Sequence, residues 1–448
     1  MTLFVAGLRR VVWSGVALGA VSYFATVGVQ AQSAGALGNG ESAAAVGRGG
    51  EMAAELGPLD AVEGNPAGLA GVQGRVAELD GVGLLAGGQF QNSVDSNGKL
   101  TGVGGALPML ALASQIGGSR WKAAVAVTPD LLMRADWKYF DPPGTAGVTY
   151  GEQKNESKIV ALRSSGSVAW SVSPQWSVGA SLGVVYNANT LDAPYIFQQQ
   201  AALAGLKVLL DLNTSGYGVN GSSGAQWQPT SKLRLGAAWK SGTYIASHGS
   251  ASGSASALFA ALGITSSPLY SYAAEVDNHL PQAVAGGVSY EGAHKVRYVA
   301  EGDWANWGKS FRALPVILTG GTNAVINSVV GASAFRDVVP LHWHDQGAIH
   351  AGVEVPVAKS AVVRAGYAYM SAPVPSTTLT PLTAAILQNS IGAGVGVVRG
   401  KWVYDVAYQA QLPASQSVGT SGLLAGEYSN SHVRVFTNSL TVGVRGKF

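Results

Sequence analysis

The chain contains no cysteine. That excludes a disulfide framework, thiolate metal sites and lipid attachment through an N-terminal cysteine. It does not exclude an oxidising compartment, since exported chains can do without thiols. Charge is scarce as well, at 12% of 448 residues, against about 25% in average globular chains. So small a supply suggests that much of the surface does not face water. The charge is also nearly balanced, with 28 Lys and Arg against 25 Asp and Glu, which leaves no electrostatic footprint for nucleic acid. Beyond the N-terminus there is no convincing membrane helix, which would need about 20 mostly apolar residues. The one uncharged candidate, Leu100 to Ser119, carries five glycines and Pro108, so its helix propensity is poor.

What is present starts with an export signal. Arg9 and Arg10 form a positive region, Val11 to Val29 an apolar run, and Val29-Gln30-Ala31 a small-x-small cleavage site. Residues 1–31 read as a signal peptide removed after Ala31; the competing reading is a membrane anchor. An exported, apolar, weakly charged chain without a spanning helix leaves the closed β-barrel as the structure able to cross a bilayer.

Alternation supports that reading. Leu440, Val442, Val444 and Phe448 alternate with Thr441, Gly443, Arg445 and Lys447, the period of two that puts apolar and polar side chains on opposite faces. Trp176, Val178, Ala180, Leu182, Val184 and Tyr186 oppose Ser177, Gly179, Ser181 and Gly183, and Trp402, Tyr404, Val406 and Tyr408 oppose Lys401, Asp405 and Gln409. In a membrane barrel the apolar row faces lipid and the polar row faces the lumen. Short turns, such as Gly117–Arg120 and Arg399–Lys401, alternate with long segments, such as Pro129–Glu156 and Ser371–Asn389. That is the asymmetry of an outer-membrane barrel. The expected fold is all-β: a transmembrane antiparallel β-barrel of about 14 strands over 74–448, with both termini on the periplasmic side. One long segment, Gln198 to Leu212, reads as helix, because Leu203, Leu206, Leu209 and Leu210 lie at helical spacing.

A barrel of that size is too wide for its own side chains to fill. Residues 32–73 precede the first strand and are available to occlude it, as an N-terminal hatch, or plug, of short helices inside the lumen. Within them Asn65-Pro66-Ala67-Gly68 reads as a stiff corner, since Asn can bond its own backbone and Pro fixes the next φ.

Taken in order, several stretches carry a resemblance. Asn65-Pro66-Ala67-Gly68-Leu69 is followed by LPQAVAGGVSY (280–290) and EGDWANWGKSF (301–311). WHDQGAIHAGVEVPV (343–357) leads into VVRAGYAYMSAPVP (362–375), then WVYDVAYQ (402–409) and the terminal Phe448. The chain resembles the FadL-type outer-membrane transporters of long-chain fatty acids and other hydrophobic compounds. The resemblance implies a fourteen-stranded barrel plugged by an N-terminal hatch. It further implies apolar ligand pockets and a lateral wall opening where a strand is kinked. Kinks need Pro or consecutive Gly; Gly104, Gly105 and Pro108 in the second strand are favoured over Thr128-Pro129 at the end of the third, with an ordinary bulge as the plainer alternative. The expected partners are a hydrophobic small molecule such as a fatty acid or hydrocarbon, outer-membrane lipid, and the assembly machinery that reads a terminal strand ending in Phe448. A monomer is expected, and no cofactor or metal.

Other motifs tempt. Gly179-Ala180-Ser181-Leu182-Gly183 matches a nucleophile elbow, but that elbow needs a strand-to-helix turn, and Ser181 sits mid-strand. His342 and His344 could share a metal on one strand face; a polar strand entrance is the plainer reading. Arg297, Glu301, Asp303, Arg364 and Asp405 read as ion pairs of the lumen wall, with Arg364 also a candidate for a ligand headgroup. The function read from the sequence is passive outer-membrane uptake of hydrophobic compounds, with no catalytic residues. The alternatives are a general porin for hydrophilic solutes and an outer-membrane lipid hydrolase.

Overall fold

The computed structural model describes residues 40–101 and 104–448. The signal-peptide and cleavage reading, and the first residues of the expected hatch, lie outside them. Nineteen strand segments make one sheet, closed into a barrel of fourteen antiparallel staves. β1 (Arg75–Gln91) is the first stave; β2 (Gly98–Leu100) and β3 (Gly104–Gln115) share the second. β4 (Trp121–Phe140), β5 (Glu152–Ser171), β6 (Trp176–Ile196) and β7 (Lys207–Thr230) follow as long single staves. Each of the next four is split in two: β8 (Leu233–Lys240) and β9 (Thr243–Ser254), β10 (Leu269–Leu280) and β11 (Ala283–Glu291), β12 (Arg297–Ala305) and β13 (Ala313–Thr319), β14 (Phe335–Pro340) and β15 (Gln346–Ala358). β16 (Ala361–Met370), β17 (Asn389–Arg399), β18 (Trp402–Val418) and β19 (Ser431–Lys447) complete the circuit. β19 pairs back onto β1 from Val76–Lys447 to Gln91–His432.

The period-two rows separate the two sides of the wall. Leu182 is 70% exposed while Ser181, its neighbour, is 7% exposed. Leu440 and Val442 point out and Thr441 points in. A water-soluble sandwich would bury the apolar row; here it is the outer surface, which only lipid can cover favourably. At the short-turn end Trp121 stacks on Trp170 at 5.8 Å, Trp176 on Trp227 at 5.5 Å, and Trp402 meets Phe448 edge-on at 5.6 Å. This is an interfacial girdle. Among the described residues no helix is long and apolar enough to cross a membrane.

Strands reach further into the long connections than alternation suggests. β4 continues to Phe140, beyond the expected exit at Pro129. The helix expected over Gln198 to Leu212 is not formed; Lys207 to Thr230 are strand. Val208, Leu210 and Leu212 point inward with Asp211 outward, so the leucines satisfy a period of two. Gly205, at φ +79°, takes the left-handed conformation just before the strand starts. Backbone pairing to β6 on one side and β9 on the other then outweighs local helix propensity.

Residues 40–74 pack into the lumen as α1 (Ala43–Gly47), α2 (Pro58–Glu63) and a 3-10 turn at Pro66–Gly71. The backbone of this segment lies directly against the inner wall. A Cβ on Gly366 would stand 2.0 Å from the Arg48 carbonyl carbon, and one on Gly236 would overlap the Ala53 carbonyl oxygen. Close approach of two backbones is what strand glycines permit, and the inner rows supply them where the segment touches.

Candidate functional site

Asn65 shows how the lumen segment is held. Its Oδ1 accepts from Ala67 N at 3.1 Å, capping the 3-10 turn that Pro66 opens. Its Nδ2 donates to Ala53 O at 2.7 Å and to Ala225 O of the wall at 3.1 Å. The Pro66–Ala67 peptide presses on Gly179, where a Cβ would come within 2.4 Å, and Gly68 fits against Glu55 O. Each position of the motif thus has its own reason: a bonding cap, a fixed φ, and two small residues in contact.

Charges fix the rest of the segment. Arg48, fully buried, lies 3.1 Å from Glu55, and Arg297 of β12 reaches Glu55 at 2.7 Å. Burial by itself would raise the Glu55 carboxyl, yet Arg297 and Arg48 hold it well below the usual range. Glu301 accepts from Met52 N at 2.9 Å and Ala53 N at 2.5 Å. His350 bonds Gly49 O at 2.6 Å through Nδ1 and Asp303 at 2.7 Å through Nε2. Arg364 spans Glu354 at 2.5 Å and Asp405 at 2.6 Å. It packs beside Gly47 and does not line the apolar cavity described below. Ser181 accepts from Arg163 at 2.8 Å, in mid-strand β6 with no helix following.

A second charged cluster connects the segment to the third stave. Glu63 accepts from Thr128 at 2.6 Å and pairs with Arg163 at 2.8 Å and Lys240 at 3.0 Å. Burial opposes its charge, but Lys240 and Arg163 hold the carboxyl down to about 2. Lys240 also pairs with Asp130. Asp130 is the extra residue where the β4–β5 register shifts between Pro129 and Leu131, a bulge that bends the strand.

The same stave borders a gap. β3 pairs with β4 only from Leu110–Val127 to Gln115–Lys122, and β2 pairs with it at Lys99–Lys138 and Leu100–Trp137. Gly104, Gly105 and Pro108 lie on the unpaired part of β3. They keep an unshifted register with β1 on the other side, and the register shift belongs to β4. Leu107, Leu132, Val160 and Leu162, with Val82 and Leu84, pack together at this place.

Above the lumen segment lies an apolar cavity of about 190 Å³. Two departures from the wall help build it. After Asn306, whose Oδ1 caps a short helix by accepting from Lys309 N at 3.2 Å, the chain turns in over Trp307–Ser310. After Pro340 it turns again through His342 at φ +52°. Trp307, Phe311 and Trp343 meet there at centroid distances of 4.8 to 5.3 Å. Phe197, Leu212, Val276 and Phe335 close the cavity from the other staves. The outer connections cover it: Lys207, fully buried, reaches Asp141 at 2.8 Å and Glu427 at 2.5 Å, and Leu424 N donates to Gln198 at 2.9 Å. Asp345 accepts from Gly308 N at 2.9 Å, so it closes the turn. Among the described residues no His, Asp and Glu group is arranged to hold a metal. Part of the lining, such as Leu210, Leu212, Val316 and Leu318, keeps strand alternation, but Phe311 and Trp343 come from turns with no periodicity, for which the aromatic residues in EGDWANWGKSF and WHDQ were the available signal.

A closed barrel with a lipid-facing exterior, a filled lumen and a covered apolar cavity defines an outer-membrane transport barrel. The chain belongs to the outer membrane transport proteins described as OMPP1/FadL/TodX, whose family profile matches residues 24–411. Its fold is similar to that of a Pseudomonas aeruginosa FadL homologue, with a TM-score of 0.72 and 16% identity, covering 91% of this chain and 98% of that one. It is also similar to the Ralstonia pickettii toluene transporter TbuX (0.71, 17%, 92% and 99%) and the P. putida toluene transporter TodX (0.72, 15%, 92% and 99%). No curated protein sequence matches the chain. The family and the barrel place the protein in the outer membrane of a Gram-negative-type bacterium.

Proposed function

We propose that this protein passes hydrophobic molecules through the outer membrane sideways, by binding and diffusion without chemistry. A ligand enters under the outer connections, rests in the apolar cavity, and leaves through the wall between β3 and β4 into the bilayer. Residues 32–73 act as the hatch that denies the lumen to water, and 74–448 form the barrel. The observation that carries this reading is the unpaired stretch of wall filled by apolar side chains. Elsewhere a wall gap would expose backbone polar groups to lipid at a cost. Here it adjoins the Asp130 bulge, which is ionically tied to the hatch. A fatty acid or an aromatic hydrocarbon would suit such a path, and the sideways exit spares it an aqueous channel.

The chain has no cysteine of its own, so an introduced pair reports cleanly. Leu107→Cys and Leu132→Cys, joined by a short thiol cross-linker, should stop uptake of labelled toluene by cells and leave binding to the purified protein intact. Uptake that continues at full rate in the cross-linked protein sinks the lateral route. Separately, a barrel lacking residues 32–72 should fold and leak small ions in planar bilayers. If it conducts no better than the full chain, the hatch assignment is wrong.

A further inference from the structure

One outward row of the wall sets like charges side by side. Across five neighbouring strands the pairing runs Arg434–Gln89–Lys99–Lys138–Lys154, from β19 through β1, β2 and β4 to β5. All five residues are exposed. With strands about 4.8 Å apart, the row is about 19 Å long. Lys99 stands directly opposite Lys138, and Lys138 opposite Lys154. Like charges so placed oppose sheet pairing. Carboxylates relieve little of this. Lys138 reaches Glu152 at 2.8 Å, both side chains more than half exposed, and Lys154 comes no nearer to Glu156 than 3.8 Å. In the rows beneath, Arg134 engages Asp136 at 2.9 Å and Glu156 at 3.3 Å. Among the described residues Lys99 and Arg434 meet no carboxylate. Further round the wall the outward charge changes sign: β6, β7 and β10 present Asp192, Asp211, Glu275 and Asp277.

The row also sits at the top of an apolar lane. Two residues further down the strand, about 7 Å, the outward side of β19 and β1 turns greasy. Phe436 lies over Gly87, and the exposed Leu85 and Leu440 follow below it. On β4 and β5 the change comes under Arg134 and Lys158, where Leu132 stands opposite Val160. Those two belong to the apolar seam between β3 and β4, and the Lys99–Lys138 pairing is what closes the wall above it. A soluble anion would need the cations and have no use for the lane. A lipid uses both: its phosphates take charge-assisted hydrogen bonds from Lys and Arg, and its chains cover the wall. Several cations in line match a headgroup that carries more than one phosphate, and such a headgroup relieves the repulsion along the row.

We propose that this row binds a multiply phosphorylated lipid of the outer leaflet, with its phosphates on Arg434, Lys99, Lys138 and Lys154 and its acyl chains laid over Phe436, Leu85 and the outer edge of the seam. The site goes beyond the transport reading and does not depend on it. The test titrates the purified full chain in nonionic detergent with bisphosphorylated lipid A and with the same lipid stripped of its phosphates, and reads bound lipid by native mass spectrometry. The phosphorylated lipid should bind and the stripped one should not. A cation beside an anionic lipid surface is worth about fivefold in binding. Lys99→Gln, Lys138→Gln and Lys154→Gln together should therefore weaken the phosphorylated lipid about 100-fold. The control removes as much charge from the short-turn end, with Lys232→Gln, Lys295→Gln and Lys359→Gln, all exposed, and should bind as the unmodified chain does. Equal binding of the two lipids, or an equal loss in the row and control variants, overturns the site. So does displacement of the lipid by inorganic phosphate at matching concentration, since the row would then hold anions without regard to acyl chains. The comparison of the two lipids on the unmodified chain decides the matter even should a variant fail to fold.

Discussion

Gly366 offers the sharpest test of how the lumen segment is seated. A Cβ built there would stand 2.0 Å from the Arg48 carbonyl carbon and 2.2 Å from Gly49 N. Ordinary contact begins at 3.4 Å, so the Arg48–Gly49 backbone must retreat by more than an ångström in Gly366→Ala. That retreat strains the Arg48–Glu55 pair at 3.1 Å and the His350 bond to Gly49 O at 2.6 Å. Overpacking of this kind costs about 1–3 kcal/mol. At about 1.4 kcal/mol per tenfold, the unseated population should rise roughly 5- to 150-fold. The control is Gly302→Ala on the outer row, where a Cβ meets nothing within 4 Å; it makes the same change in strand propensity. Single-channel recording should show frequent openings for Gly366→Ala and a quiet trace for Gly302→Ala. Proteolysis within residues 40–72 should follow the same order. If the two variants behave alike, close backbone seating is not what retains the hatch.

Two further outcomes are expected. Lys240→Met leaves Glu63 and Asp130 without their shared cation. Breaking a buried pair costs about 3–5 kcal/mol, and adding Asp130→Asn should restore part of the loss in a thermal melt; a double variant no better than the single refutes the shared role. Glu427 is held up at about 7 by burial, against the pull of Lys207. A carboxyl raised from 4.5 favours the fold below that ordinary value and loses the contribution as pH rises through about 7. The loss amounts to about 3 kcal/mol. After correction for the intrinsic rise of amide exchange with pH, protection in residues 419–430 should therefore fall between about pH 4.5 and about pH 7, and Glu427→Gln should abolish that fall.

The wall was legible because lipid and lumen impose opposite demands on alternate residues. Val178, Ser181 and Leu182 declare their sides without any knowledge of the fold. The closure into fourteen staves followed from the regular exchange of short and long connections. What stayed hidden lacks a period. Trp307, Phe311 and Trp343 reach the lumen only because two staves, β12/β13 and β14/β15, are interrupted, and a break of a few residues has no repeat to reveal it. The leucines from Leu203 to Leu210 misled because helical spacing and strand alternation overlap over so short a run. For Leu209 and Leu210, pairing to β6 on one side and β9 on the other decided between them. The gap beside β4 depends on register, which no single strand specifies.

The interruptions in β8/β9, β10/β11, β12/β13 and β14/β15 fall side by side, so on that flank the cylinder behaves as two stacked hoops. The lower hoop grips the stopper and the upper one shapes the berth for cargo. Side chains of the upper hoop can therefore be exchanged to suit a new guest without loosening the stopper, a division of labour that an uninterrupted wall would not permit.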